Sequence, residues 1–213
     1  MAAVVKNINA VIITGDMIAS SKFTPVKRKK LQSRLNSFIK KIGSNYTDFE
    51  AEQFRGDSLQ SILTKNKTAG LRIALSLYCF LAAEGFKIRQ SVGVGEISFK
   101  SNNVVTSDGT AFRLSGENID KLKKRNELIS VASENSSFNE EWIVHSATLN
   151  YLMERLSNAQ AEALYLQMQN AKQEEIAKAL HISQPSVHQR LQTAGWTVIN
   201  KILQRFEVMV ATL

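Results

Sequence analysis

Two aspartates, Asp16 and Asp57, stand at positions in this sequence where a pair of carboxylates can do chemistry. Asp16 follows the apolar, β-branched run Ala10–Thr14, which is typical of a buried strand. Asp57 lies in the tight turn Arg55-Gly56-Asp57 between two further predicted strands. Two carboxylates at one edge of a sheet can hold a divalent cation, and Mg²⁺ held in this way with phosphate oxygens is the usual arrangement for nucleotide chemistry. The alternative is that both aspartates are turn residues that bond their own backbone.

Further residues could bind the ligand that such a cation accompanies. The candidates for ligand binding are Gly15, Gly56, Arg55, Arg89 and Asp108. Arginine binds phosphate with two parallel hydrogen bonds, so Arg113 is a further candidate beside the other two arginines. Arg89 could equally pair with Glu96 on the surface of the sheet. Asp108, at the start of a predicted helix, is most simply a turn or cap residue.

The segment 173–191 has the apolar spacing of a helix-turn-helix. Its inward positions are Ile176, Ala177, Leu180, Ile182, Val187 and Leu191. The outward positions at the start of the second helix are Gln184, Ser186, His188, Gln189 and Arg190. In a DNA-binding helix-turn-helix these positions meet base edges and phosphates in the major groove. The alternative is an ordinary helical hairpin, and the unit carries so little net positive charge that other basic residues or a second copy would have to supply phosphate contacts.

The segment after Gly195 carries an apolar stripe at helical spacing. Its members are Val198, Ile199, Ile202, Leu203, Phe206, Met209, Val210 and Leu213. This is more apolar surface than a three-helix unit needs. Two interpretations stay open, a homodimer seam and packing against the N-terminal part of the chain.

The predicted elements follow the order strand, helix, strand, strand, helix, strand, helix, strand, and then helices only. The fold class is therefore α+β, with a ferredoxin-like βαββαβ sheet whose helices pack on one face. An all-α helix-turn-helix domain follows it. We place the two domains at residues 1–155 and 156–213.

Composition narrows the class of protein. The chain has 213 residues, of which 44% are hydrophobic and 22% charged, and this excludes a wholly disordered chain. No apolar run approaches the roughly 20 residues that span a bilayer, and Met1 to Asn9 lack a signal-peptide core, so we expect a cytoplasmic protein with no membrane contact. A single cysteine cannot form an internal disulfide. The net charge of +8 favours polyanionic partners.

Four short motifs and the C-terminal helix-turn-helix carry a resemblance to a known family. The motifs are Gly15-Asp16 with Ser20-Ser21, Arg55-Gly56-Asp57-Ser58-Leu59-Gln60, Gly93-Val94-Gly95-Glu96 and Ser107-Asp108-Gly109-Thr110-Ala111. Together they resemble the SatD family, whose first domain is similar to the nucleotidyl-cyclase and diguanylate-cyclase (GGDEF) fold. Those enzymes place metal-binding carboxylates on the first strand and on the central hairpin, which match Asp16 and Asp57. They have Glu-Phe after the hairpin aspartate, where this chain has Ser58-Leu59.

The sequence therefore predicts a DNA-binding transcriptional regulator whose cyclase-like domain senses a nucleotide or another small ligand, with Mg²⁺ as its cofactor. A homodimer would present two helix-turn-helix units to DNA. The alternative is a Mg²⁺-dependent nucleotidyl cyclase or nucleotide-hydrolysing enzyme with an appended helix-turn-helix.

Overall fold

A computed structural model describes residues 8–54, 56–101 and 103–213. These residues form a mixed α+β architecture. The strands are β1 (Ile8–Met17), β2 (Glu50–Phe54), β3 (Ser58–Leu63), β4 (Ile88–Ile97) and β5 (Ile129–Ser133). The helices are α1 (Pro25–Asn45), α2 (Gly70–Ala82), α3 (Thr110–Arg125), α4 (Ser136–Glu154), α5 (Asn158–Met168), α6 (Gln173–Leu180), α7 (Gln184–Thr193) and α8 (Trp196–Ala211).

The five strands form one mixed sheet in the order β2-β3-β1-β4-β5. β1 lies at its centre and pairs antiparallel with both β3 and β4. Along the chain, the first four strands alternate with α1 and α2 in the predicted order βαββαβ. β5 joins β4 in parallel at the edge, which is the pairing that the α3 crossover requires.

The two helices of the βαββαβ unit, α1 and α2, pack on one face of the sheet as predicted, and α3, which follows that unit, covers the other face. α1 and α2 share a core with Val11 and Ile13 of β1, whereas α3 packs against Ala10 and Ile12 on the opposite side. The reason lies in β1, which is apolar at successive positions and therefore has to be buried on both faces. At Gly93 of β4 an added Cβ would lie only 2.2 Å from a backbone oxygen of α3, so glycine permits the close approach of that helix.

The C-terminal helices belong to the same core as the sheet, and a separate all-helical domain is not evident. Nearly every residue of α2 is buried, so α2 needs a second apolar layer on the side away from the sheet. α5 supplies part of this layer, and the rings of Phe80 in α2 and Tyr165 in α5 lie 5.0 Å apart. α8 reaches α4 in the same way, with the Phe206 ring edge-on to Trp142 at 5.3 Å. The boundary predicted after residue 155 falls in the short loop between α4 and α5.

The apolar stripe of α8 is largely used inside the chain. Its buried members are Ile199, Ile202, Leu203, Phe206 and Val210. Val198 is 44% exposed and Leu213 37%, so they form the accessible margin of the stripe. Packing on the rest of the chain thus accounts for most of the stripe, and the homodimer stays a prediction.

Local signals set most helix starts. Ser157 and Gln160 form a capping box at the start of α5, and Ser183 caps α7 ahead of Pro185. At the start of α4 the side chain of Asn135 accepts the N–H of Phe138. Within the described ranges, no helix combines the length and apolarity needed to cross a bilayer.

Candidate functional site

The sheet brings Asp16 and Asp57 to the same rim. Asp16 lies near the end of β1, directly opposite Ser58 of β3. Asp57 ends the hairpin turn that leads into β3, and Gly56 adopts the positive φ (79°) that this turn needs. The N–H of Met17 donates to the carbonyl oxygen of Asp57 at 3.0 Å, which fixes the turn against the end of β1.

The hydroxyl of Ser58 lies between the two carboxylates. It is 3.2 Å from Oδ1 of Asp16 and 3.4 Å from Oδ1 of Asp57. Those two oxygens are therefore separated by no more than the sum of these distances. Ser20, in the loop after β1, donates to Oδ2 of Asp57 at 2.5 Å. Strand register and two serine hydroxyls thus hold both carboxylates in one place.

A lysine of α3 pairs with one of the two carboxylates. Lys123 of α3 places its Nζ 3.3 Å from Oδ2 of Asp16, whose side chain is 17% exposed. Among the described residues, this is the cation that pairs with the acidic couple. One lysine offsets one of two carboxylates, so the site can attract a further cation.

Two clefts meet at Asp57, which lines both. One, of about 420 Å³, lies beside the loop after β1 and is lined by hydroxyl groups such as that of Ser20 and by Arg28 of α1. The other, of about 440 Å³, lies between the sheet and α3 and is lined by Phe54, Gln60 and the acidic pair. Asp57 therefore stands on the border between a cleft with anion-binding groups and a cleft with an aromatic ring and an amide, and Asp16 lies beside it in the second cleft.

The residues at this rim fit Mg²⁺ by their chemistry. Two carboxylates and two serine hydroxyls are hard oxygen donors, and Mg²⁺ in proteins commonly uses one or two carboxylates with waters and phosphate oxygens. In the part of the chain that the structure describes, no group of three or more His, Cys, Asp or Glu residues is placed to hold a metal ion. The protein would therefore leave most coordination positions to water and phosphate.

The structure places some of the other predicted ligand residues at the rim and others away from it. Arg89 lies opposite Asp16 in the register of β4 and donates to Oδ1 of Asn126 at 3.1 Å. Gly15 lines the cleft between the sheet and α3 through its backbone, and a Cβ added there would point to the other face and touch Ile88. Arg55 lies outside the described residues.

Asp108 does not join the rim. It lies beside Phe99, beyond the far end of β4, and that end is itself about 26 Å along the strand from Asp16. Its carboxylate accepts the N–H of Gly109 at 2.6 Å and lies 3.8 Å from Arg113. This is the turn role that was the simpler interpretation of Asp108.

Sequence reasoning did not select Ser58, Gln60 or Lys123 as site residues. Ser58 is the first residue of β3, and only its register against Asp16 shows that it bridges the carboxylates. Lys123 belongs to the basic run 121–125, whose pattern on a helix is typical of a solvated face. Its contact with Asp16 depends on α3 crossing the second face of the sheet.

The predicted DNA-contacting residues lie on the surface at the start of α7. Gln184, His188 and Gln189 are exposed, and Ser186 and Arg190 are half-buried. Val187 and Leu191 are buried beneath them, as the apolar spacing predicts. The ridge is open to solvent, and its contact with DNA stays a prediction.

Comparisons with known proteins give one family and several distant structural likenesses. The sequence pattern of the SatD family matches residues 10–204. A bacterial light-regulated adenylyl cyclase is 17% identical, with 59% of this chain and 76% of that chain covered, at a TM-score of 0.47. The adenylyl cyclase CyaB from P. aeruginosa is 14% identical, covering 60% and 78%, at 0.42, and the guanylyl cyclase Cya2 is 10% identical, covering 60% and 76%, at 0.45. At these scores the likenesses assign neither an activity nor a site to this chain. No curated protein matches it.

Proposed function

The chain belongs to the SatD family, and we propose that it binds a nucleoside polyphosphate together with Mg²⁺ and processes it by cyclisation or hydrolysis. One observation carries this proposal: the hydroxyl of Ser58 reaches both Asp16 and Asp57, so that two carboxylates lie together where Asp57 borders both clefts. Lys123 offsets the charge of Asp16 alone, so a cation that contacts both carboxylates would relieve their remaining repulsion, and this arrangement favours a bound metal.

The two clefts suit the two halves of a nucleotide. The hydroxyl of Ser21 and the guanidinium of Arg28 can donate to phosphate oxygens in the first cleft. The ring of Phe54 can stack on a base and the amide of Gln60 can bond its edge in the second. A nucleotide that spans both clefts would have its phosphates beside the carboxylates.

Asp16 and Asp57 would hold the cation, and Ser20 and Ser58 keep their oxygens in place by hydrogen bonds. When bound, Mg²⁺ supplies positive charge that orients the phosphates and stabilises the negative charge that develops on them. Lys123 offsets the charge of Asp16 and can approach a phosphate from the side of α3.

Binding of Mn²⁺ and of ATP with Mg²⁺, followed by calorimetry, tests the proposal. Asp57→Asn keeps the size of the side chain and removes its charge, so we expect loss of Mn²⁺ binding and at least about a tenfold weaker affinity for ATP with Mg²⁺. Asp108→Asn is the matched control, because it removes the same charge at the far end of β4 and an asparagine can keep the turn. It should bind both like the wild type.

Products distinguish the reaction classes. Incubation of the wild type with ATP or GTP and Mg²⁺ or Mn²⁺ would release pyrophosphate with a cyclic nucleotide, or inorganic phosphate, and Asp57→Asn should release neither. If the wild type binds no Mn²⁺ and no nucleotide, or if the two variants behave alike, the proposal is wrong.

A second candidate, DNA binding, is favoured by the ridge on α7. Gln184, His188 and Gln189 are exposed at the start of a helix whose other face is buried, so their hydrogen-bonding groups are available to base edges. In this proposal the cyclase-like part would bind the small ligand, and α7 would contact the bases of DNA.

Gel-shift assays with genomic fragments at low salt test this second candidate. Gln184→Ala and Arg190→Ala should weaken binding. Gln204→Ala, an exposed glutamine on α8, is the control and should not. Absence of any shift by the wild type at low salt would remove DNA binding as a function.

A further inference from the structure

A chain of three hydrogen bonds runs from α3 to the cleft beside the acidic pair. The hydroxyl of Ser115 donates to the carbonyl oxygen of Phe112 at 3.0 Å. Thr14 of β1 donates to Oγ of Ser115 at 3.0 Å, and Nε2 of Gln60 in β3 donates to Oγ1 of Thr14 at 3.3 Å. The chain therefore joins α3, the central strand and the cleft.

The direction of every bond in this chain is fixed. A carbonyl oxygen can only accept, so the single proton of Ser115 is used on Phe112 and its oxygen accepts from Thr14. The proton of Thr14 is then also used, and Thr14 can only accept from the amide of Gln60. Ser115 is completely buried and Thr14 is 6% exposed, so water does not compete for these bonds.

Because the direction of these hydrogen bonds is fixed, the polar groups that the Gln60 amide presents to a ligand are fixed as well. Its amide nitrogen is turned towards Thr14, which leaves the carbonyl oxygen Oε1 and one N–H of Nε2 for the cleft that Gln60 lines. Among the described residues, no donor bonds Oε1. An acceptor beside a donor matches the edge of adenine, whose exocyclic amine lies next to N7, and glutamine pairs with adenine in this way. Guanine presents two acceptors on the same edge.

We propose that Gln60 reads the base in the nucleotide site, with its Oε1 accepting a hydrogen bond from the exocyclic amine of adenine. The inference rests on the proposed function and adds the substrate class, an adenine nucleotide. Thr14 and Ser115 are positioning residues, since they hold the amide without touching the base.

The test compares ATP with purine riboside 5′-triphosphate, which has the same ring and phosphates but lacks the exocyclic amine. The affinities of both are measured by calorimetry in the presence of Mn²⁺. The wild type should bind ATP about tenfold more tightly, within the range of a good bidentate base contact. Gln60→Ala should bind both ligands within about twofold of each other, because the reading group is gone.

Ser115→Ala provides the readout that a merely structural role would not move. It removes the acceptor for Thr14, so Thr14 can turn its proton towards Gln60 and release the fixed orientation of the amide. Discrimination between the two triphosphates should therefore fall in this variant, although residue 115 does not line the cleft. Its affinity for Mn²⁺ alone should stay that of the wild type and shows that the site is intact.

Gln53→Ala is the matched control. Gln53 lies on the neighbouring strand of the same hairpin, where it bonds Gln32 and Asn36 on the α1 side, and its loss should leave the discrimination unchanged. Equal binding of the two triphosphates by the wild type, or tighter binding of GTP than of ATP, overturns the assignment of Gln60 and leaves the metal-nucleotide site standing. Failure of the wild type to bind any triphosphate overturns the proposed function instead.

Discussion

Gly93→Ala tests the packing of α3 on the sheet, on which the second cleft depends. The β-carbon of the new alanine would lie 2.2 Å from the carbonyl oxygen of Ala111 and 2.9 Å from the backbone nitrogen of Ser115. Both atoms belong to the backbone of α3, so no side chain can rotate away. Relief requires α3 to withdraw from β4.

The cost can be worked from these distances. Carbon and oxygen atoms are in ordinary contact at about 3.4 Å, so α3 has to retreat by about 1 Å. Overpacking of this kind costs about 1–3 kcal/mol, and loss of the buried bond from Thr14 to Ser115 adds about 1 kcal/mol. Alanine restricts the unfolded chain more than glycine does, and this offsets the loss of stability by about 0.4–1 kcal/mol. The expected net loss in the free energy of unfolding is about 1–3.5 kcal/mol.

Urea denaturation followed by tryptophan fluorescence measures this loss, since Trp142 is fully buried. Gly116→Ala is the matched control in α3 itself. A Cβ at Gly116 has nothing within 4 Å, and alanine in a helix is favoured over glycine by about 0.5–1 kcal/mol, so this variant should be more stable than the wild type. If Gly93→Ala unfolds within about 0.5 kcal/mol of the wild type, the close approach of α3 to β4 is refuted.

Three further predictions concern single groups. Burial raises the pKa of Asp48, but hydrogen bonds from the side chain and N–H of Asn66 and from two further backbone N–H groups outweigh it and lower the pKa to about 2. The ionised carboxylate therefore contributes about 2 kcal/mol of stability above pH 4, and this contribution is lost as the pH falls through 2. The free energies of unfolding of Asp48→Asn and the wild type, measured in urea, should differ at pH 7 and converge at pH 2. Lys123→Met removes the charge that competes for Asp16, and Mn²⁺ titration should show about two- to fivefold tighter binding; weaker binding would mean that the lysine helps to hold the site together. Burial raises the pKa of the Cys79 thiol, so a thiol reagent should label it only at the rate of unfolding, and rapid labelling of the native protein would contradict its burial.

The elements with strong local signals could be predicted closely from the sequence. β3 (Ser58–Leu63) follows a tight hairpin turn and α6 (Gln173–Leu180) has a clear apolar period, and both signals lie within a few residues of the element. The rim of the candidate site could be predicted in part. Asp16 lies near the end of β1 and Asp57 directly before β3, and these two strands are neighbours in the sheet, so the approach of the two residues follows from the strand order.

The rest required the tertiary structure. Which face α3 covers, and hence the contact of Lys123 with Asp16, follows from β1 being buried on both sides. The bridging position of Ser58 follows from the strand register, since a slip of one residue would turn its side chain to the other face.

The amino-acid sequence by itself determined the kinds of element, their order and the two acidic positions, because these depend on spacing between near neighbours along the chain. The tertiary structure alone decided that the C-terminal helices share the core of the sheet and that Gln60 is oriented through residues of β1 and α3. The physical reason is that burial of apolar surface has no direction of its own. An apolar stripe shows that a helix must be covered, whereas the partner that covers it is set by register, crossing side and the space that residues such as Gly93 leave.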